Sequence, residues 1–230
     1  MAKPMNQNND KRLAAIAAAA EIQSGMLIGL GTGSTAAYLI AHLGAQVRIG
    51  LKITAVATSR ATETAARAAD IIVLPFDDIA EIDLAIDGVD EIDGHCRAIK
   101  GAGGAMLREK VVATAARRMI AIADGSKRVV SLGRAPVPVE ILPFARAFVT
   151  DRLARLGATP VLRLRDGQAY RTDQDNLILD CKFPESFDIA MITSQLSAIP
   201  GLLGHGLFLN EIAAAYIAHA GTVTRLDRTG

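Results

Sequence analysis

Several polar stretches of this 230-residue sequence carry residue types that can hold an anion or move a proton. In Gly31-Thr32-Gly33-Ser34-Thr35, glycines and hydroxyls sit where an apolar run, Met26–Leu30, gives way to a helical stretch. Glycines at 29, 31 and 33 let the backbone turn tightly. Ser34 and Thr35 add hydroxyls beside the free N–H groups of a helix start, which together make an anion cradle suited to a phosphate. The dinucleotide fingerprint needs a glycine where Ser34 stands, and Thr58-Ser59 follows the next apolar run where a ribose-binding acid would be expected. There is no Walker lysine either. NAD and ATP are disfavoured, a phosphorylated small molecule remains, and a plain helix cap after a glycine turn is the structural alternative.

Asp87-Gly88-Val89-Asp90-Glu91 offers two carboxylates three residues apart, able to handle hydroxyl protons or bind a divalent ion, although turns favour Asp and Gly anyway. Lys100-Gly101-Ala102-Gly103-Gly104 precedes a helical stretch that contains Glu109. At 100° per residue, Ala102, Ala105, Met106, Val112, Ala113 and Ala116 fall within about 60° of Glu109, while Arg108, Lys110 and Arg117 point elsewhere. Glu109 therefore lies in the middle of an apolar face. Desolvation there raises its pKa toward the range of a base near neutrality, and a nearby lysine pulls it back. The structural alternative is a buried ion pair of Glu109 with Lys100 or Lys127. Either lysine could neutralise a phosphate or an oxyanion. A phosphate cradle, a buried base, two acids and two cations suffice for proton transfer beside the carbonyl of a sugar phosphate, of which aldose–ketose interconversion is the simplest case.

These stretches all follow short apolar runs. Met26–Leu30, Ile53–Ala57, Ile71–Leu74, Leu84–Ile86 and Met119–Ala123 are apolar throughout and alternate with helical segments near 11–23, 35–43, 60–69 and 104–118. Strands without polar alternation imply a parallel sheet covered on both faces, hence a doubly wound, Rossmann-like α/β fold whose ligands collect at the strands' C-terminal ends. After about residue 130 the texture changes. Helices at 144–156 and 186–198 flank strands at Val161–Leu164, Ala169–Arg171 and Leu177–Cys181, with an Asp166-Gly167 turn, which suggests a smaller α+β domain. Gly206-Leu207-Phe208 and Thr222-Val223-Thr224 are expected to rejoin the first sheet. The expected division is a catalytic domain of 1–130 plus about 205–230, with an inserted domain at about 131–204. The first ten residues read as disordered.

Composition narrows the function. Lys+Arg against Asp+Glu is 25 to 24, and aromatic residues make up 4% with no Trp. Neither a broad basic field nor stacking platforms are available for nucleic acid. The longest early apolar run, Leu13–Ala20, is far below a membrane span, so no membrane partner is expected and a cytoplasmic location is. Cys96 and Cys181 lack CxxC partners, and His42, His95, His205 and His219 form no metal pattern, so neither metal nor cofactor is called for. A non-catalytic sugar-phosphate sensor would need the cradle and lysines but no base. A sugar-phosphate deaminase would need a positioned histidine, and an acyl-CoA transferase a glutamate nucleophile.

Gly29-Leu30-Gly31-Thr32-Gly33-Ser34-Thr35, Asp87-Gly88-Val89-Asp90-Glu91, Lys100-Gly101-Ala102-Gly103-Gly104-Ala105 with Arg108-Glu109-Lys110, and Ala123-Asp124-Gly125-Ser126-Lys127 resemble, in order and spacing, the signatures of type A ribose-5-phosphate isomerases. The resemblance extends through Pro136-Val137-Pro138-Val139-Glu140 to Gly206-Leu207-Phe208. It implies interconversion of ribose 5-phosphate and ribulose 5-phosphate in the non-oxidative pentose phosphate pathway, without metal or cofactor, by a homodimer or homotetramer. By position it makes Glu109 the general base, Asp87 with Asp90 beside it the acid, and Lys100 the residue that stabilises an enediolate. Thr32, Gly33, Ser34, Thr35, Gly88, Val89, Gly101, Ala102, Gly103, Lys127 and Lys11 become substrate contacts. Ala102 departs from a common glycine, and its methyl group fits if its φ is negative.

Overall fold

The computed structural model describes residues 7–184 and 187–228. Helix α1 (Gln7–Ala19) precedes strand β1 (Leu27–Leu30), α2 (Ser34–Arg48), β2 (Thr54–Ala57), α3 (Arg60–Ala68), β3 (Ile72–Val73) and β4 (Leu84–Gly88). Two short strands, β5 (Glu91–Ile92) and β6 (Ala98–Ile99), lead to α4 (Met106–Ala115) and β7 (Met119–Asp124). Next come β8 (Val137–Ile141), α5 (Arg146–Arg155), β9 (Thr159–Leu162), β10 (Leu164–Arg165), β11 (Gln168–Ala169), β12 (Leu177–Lys182) and α6 (Ile189–Ser197). The chain closes with β13 (Leu202–His205), β14 (Leu207–Phe208), β15 (Ile212–His219) and β16 (Thr222–Asp227).

The main sheet has the order β16-β15-β7-β4-β1-β2-β3 and is parallel except for β16. Its alternate side chains feed two cores, as continuous apolar strands require. Ile28, Leu30, Ile86, Ile120 and Ile122 pack with α1 and α2 on one face. Ala85, Met119, Ala121 and Ala123 pack with Val112 and Ala113 of α4 and the β5–β6 hairpin on the other. From β1 the chain runs to β2 and β3 on one side, and β4 restarts on the other side. The strand order thus reverses between β1 and β4, and in such sheets a crevice opens at that point beyond the strands' C-terminal ends.

A second, antiparallel sheet, β13-β8-β12-β9, is built between β7 and β15 and packs on α5 and α6. Strands β10 and β11 form the expected hairpin, with Asp166 (φ 52°) and Gly167 (φ 79°) supplying the two left-handed residues of a tight turn.

Three expectations are corrected. Gly206-Leu207-Phe208 does not rejoin the main sheet: β14 pairs with β6 in a small sheet β14-β6-β5, seating the fully buried Phe208 beneath α4. Thr222–Thr224 does rejoin it, within edge strand β16. Residues 1–6 of the opening expected to be disordered lie outside the described residues, but Gln7–Asp10 are helical. Asp10 is buried there and accepts from the amides of Ala220 (3.2 Å) and Gly221 (2.9 Å) in the β15–β16 turn, which ties α1 down. The last expected helix starts not at 186, which lies outside the described residues, but at Ile189, where Asp188 caps it by accepting from the amides of Ala190 and Met191. Among the described residues no helix is long and apolar enough to cross a membrane.

Candidate active site

Three charged side chains meet under the crevice. The ammonium of Lys100 lies 2.9 Å from Asp87 Oδ2 and 3.2 Å from Glu109 Oε2, and it donates to the carbonyl of Gly88. All three are buried, with at most 5% of their surface exposed. Each comes from a different element. Asp87 is the penultimate residue of β4, Lys100 follows β6 with its amide held by the carbonyl of Gly206 (2.8 Å), and Glu109 occupies the first turn of α4. The apolar-face position of Glu109 thus does what the helical wheel implies: it aims the carboxylate inward beside Met106, Val112 and Ala113. Its ion-pair partner is Lys100, not Lys127.

The Asp87 carboxylate is fixed from two sides. Its Oδ1 accepts from the amides of Thr32 (3.0 Å) and Gly88 (2.6 Å), while its Oδ2 faces Lys100. Gly31 makes this possible, since a Cβ there would collide with the Asp87 carboxylate. The Thr32 hydroxyl is anchored in turn by Thr58 (2.8 Å), Ser59 (2.9 Å) and Thr62 (3.1 Å). The polar residues after β2 therefore hold the loop after β1 in place.

One cation between two buried carboxylates leaves one of them under-compensated. Burial, and then the Asp87 charge, push Glu109 up to about 8 against the opposing pull of Lys100. Its Oε2 has no hydrogen-bond donor despite the nearby ammonium. Burial also raises Asp87, with Lys100 and the two amides working against the rise. Lys100 itself is driven above the lysine range: burial opposes its charge, but Asp87 and then Glu109 outweigh it. It stays protonated.

Above this trio lies a cleft lined by Lys11, Thr32, Gly33, Ser34, Thr35, Gly88, Val89, Asp90, Lys100, Gly101, Gly103, Glu109 and Lys127. Every residue expected from the sequence is among them except Asp87, which sits beneath Lys100, and Ala102. Gly33 enters α2 with φ 105° and provides no side-chain cap, so the first amides of this 15-residue helix are open to the cleft. Lys11 reaches over from α1 to donate to Ser34 Oγ at 3.0 Å. These donors gather at one end, a set able to hold an anion, with the carboxylate–lysine trio at the other. Asp90 is held by the Ala102 amide (2.8 Å), and Ala102 itself has no positive φ, since Gly101 (φ 108°) takes that conformation. The methyl group is therefore tolerated. His42 and His95 do not line the cleft.

The sequence profile of the family described as ribose 5-phosphate isomerase A (phosphoriboisomerase A) matches residues 54–222. A ribose-5-phosphate isomerase A of Sphingopyxis alaskensis is 49% identical over 93% of this chain and 94% of its own length. The chain belongs to the ribose 5-phosphate isomerase A family. Solved structures agree. The ribose 5-phosphate isomerase of Plasmodium falciparum superposes with a TM-score of 0.93 at 36% identity, covering 97% of this chain and 100% of that one. A D-ribose-5-phosphate isomerase in complex with phospho-erythronic acid gives the same TM-score at 34% identity, with the same coverage.

Two supports of the cleft, neither among its lining residues, escape the sequence in their role. The Thr58–Ser59–Thr62 hydroxyls are signalled only by being polar directly after an apolar strand. Arg163, whose guanidinium reaches the Gly101–Ala102 backbone, stands in no motif at all.

Proposed function

We propose that this chain interconverts ribose 5-phosphate and ribulose 5-phosphate by proton transfer through an enediolate. In this reading the phosphate occupies the start of α2, held by Ser34, Thr35, Lys11 and Lys127. The backbone of Thr32–Gly33, Gly88–Val89 and Gly101–Gly103 and the Asp90 carboxylate contact the sugar. Ionised Glu109 takes the proton from C2 of the open-chain aldose and returns it to C1. The negative charge that develops on the C1 and C2 oxygens is met by Lys100, and Asp87 assists the exchange of hydroxyl protons between them.

The carrying observation is the buried Glu109 carboxylate sharing Lys100 with Asp87 beside an open helix start. A sensor has no use for a carboxylate pushed up to about 8, whereas a base working near neutrality does. Phospho-erythronic acid, bound by a similar structure, joins a phosphate to a carboxylate, and these are the two anionic ends that the cradle and Lys100 are suited to hold. The same reading places the enzyme in the non-oxidative pentose phosphate pathway of the cytoplasm, as a homodimer or homotetramer. It treats about 131–204 as an inserted domain on a catalytic domain of 1–130 and 205–230.

The test compares conversion of ribose 5-phosphate with that of other pentose and hexose phosphates in wild type and Glu109→Gln. Ribose 5-phosphate should be turned over best, and the variant should bind it while losing about 100-fold or more in kcat, the scale for removal of a general base. Undiminished turnover in Glu109→Gln sinks the mechanism.

A further inference from the structure

The Gly101–Gly104 loop joins Lys100 to the helix that carries Glu109, and its composition gives it little stiffness of its own. Gly101 and Gly104 both have positive φ (108° and 82°), and three of its four residues lack a side chain. Yet this loop has to hold its backbone still against a reacting sugar. One turn hydrogen bond, Gly104 N–H to Gly101 O (3.0 Å), and the Asp90 carboxylate on the Ala102 amide hold part of it, and its outward carbonyls are held from the second sheet. Arg163, between β9 and β10, donates through Nη1 to two successive carbonyls, Gly101 O (2.9 Å) and Ala102 O (3.1 Å). Its other edge is gripped by Asp180 of β12, through Nε to Oδ2 (2.9 Å) and through Nη2 to Oδ1. Both side chains are mostly buried, at 15% and 24% exposure. A planar, always-charged fork clamped by a carboxylate on one edge is suited to present its remaining N–H groups in fixed directions. Tyr170 extends the contact by donating to the third carbonyl, Gly103 O, at 3.4 Å.

The peptide geometry makes this more than a structural tie. There are no cis peptide bonds among the described residues, so each N–H points opposite to the carbonyl of its own peptide unit. With the Ala102 carbonyl turned out to Arg163, the Gly103 N–H of the same unit is turned the other way. Gly103 lines the cleft. The neighbouring unit behaves alike: Gly101 O faces Arg163, and the Ala102 N–H donates to Asp90 Oδ2 (2.8 Å), itself a cleft residue.

We propose that Arg163, held by Asp180, is a positioning residue of the isomerase reaction, aiming the Gly103 N–H and the Asp90 carboxylate at the substrate by fixing the Gly101 and Ala102 carbonyls. It touches no substrate itself. The inference rests on the isomerase reading of the cleft.

The experiment measures kcat and KM for ribose 5-phosphate, together with melting temperature, in wild type, Arg163→Ala, Arg163→Lys and Asp180→Asn. Misplacing a donor by about 1 Å costs on the order of 100-fold, so Arg163→Ala should lose about that much in kcat with a much smaller change in KM. Arg163→Lys, which cannot bridge two carbonyls while held by Asp180, should recover only part of the loss, and millimolar guanidinium should restore some activity to Arg163→Ala. Asp180→Asn should fall between wild type and Arg163→Ala. Full kcat in folded Arg163→Ala, or a loss that only tracks a lowered melting temperature and resists guanidinium, overturns the proposal. An inactive wild type would instead overturn the isomerase reading beneath it.

Discussion

Replacing Glu109 by glutamine should stabilise the protein at alkaline pH and do so less, or not at all, in acid. The folded protein holds this carboxyl at about 8, against an ordinary value of 4.5. A group whose pKa is raised on folding favours the native state while protonated. Its contribution is complete below about 4.5 and is lost as pH climbs toward about 8. At pH 5 the wild-type side chain is mostly neutral in the folded state, as glutamine is, so the difference between the two proteins there reports mainly shape and hydrogen bonding, with about 1 kcal/mol from ionisation of the unfolded chain. By pH 8.5 the wild type has paid for ionising a buried carboxylate next to Asp87, and the variant has not. A shift of this size corresponds to at most about 5 kcal/mol, because each unit is 1.36 kcal/mol. Relaxation of the cleft and entry of water around the ionised group bring the expected gain to about 2–3 kcal/mol. For a chain of this length, that widens the gap in melting temperature by about 5–10 °C between the two pH values. Urea or thermal unfolding of both proteins across pH 5–8.5 measures it. Parallel stability curves would refute the raised pKa and, with it, the account of how burial prepares the base.

The same ionisation should appear in the kinetics: kcat/KM for ribose 5-phosphate should rise about tenfold per pH unit on the acid side and level off near pH 8, whereas a limb near pH 4–5 would place the base elsewhere. Gly31→Ala should drive the Asp87 carboxylate off Lys100, costing about 1–3 kcal/mol of stability as overpacking does and lowering kcat at least tenfold, both visible in one purified preparation. Lys11→Ala removes a cation above Ser34 that is distant from the proton transfer, so KM should rise about tenfold with kcat nearly constant; a loss confined to kcat would move Lys11 out of the phosphate site.

Most of the site was legible because it sits at the ends of elements with strong patterns. Five apolar strands, four of them closing on glycine, hydroxyl or charge, imply both the parallel sheet and the edge at which a ligand gathers. The direction of Glu109 could be read because Arg108, Lys110 and Arg117 define the solvent side of its helix. The choice between Lys100 and Lys127 could not, since it depends on where β6 lies, and β6 is held between β5 and β14, the latter more than 100 residues later, by two-residue pairings on each side. Two strands were hidden by their composition. In β15, Ile212–His219, four alanines favour helix, and only the position between β7 and β16 makes the segment a strand. In β8, Pro138 argues against a strand. Its carbonyl accepts from Gly206 N just beyond the end of β13, so the missing N–H faces the side where the ladder has stopped.

The arrangement of charge explains why the trio is worth its burial. Two carboxylates and one ammonium carry a net charge of −1 when both acids are ionised, and the interior penalises that state. In the proposed reaction the C2 proton moves to Glu109, the carboxylate becomes neutral, and the negative charge passes to the enediolate oxygens beside Lys100. The total charge is unchanged, but it moves from a buried carboxylate that shares Lys100 with Asp87 to substrate oxygens beside the same permanent cation. The same burial that weakens the folded state above pH 5 thus brings the proton affinity of the base closer to that of the carbon acid, by up to a few kcal/mol over an ordinary glutamate. Asp87 is essential to this balance. Without it, Lys100 would pair with Glu109 alone and pull its pKa back down, leaving a stable ion pair and a poor base. Asp87→Asn should therefore lower the acid limb of kcat/KM below pH 8 while reducing kcat, a combination that loss of a hydroxyl-proton acid by itself would not produce.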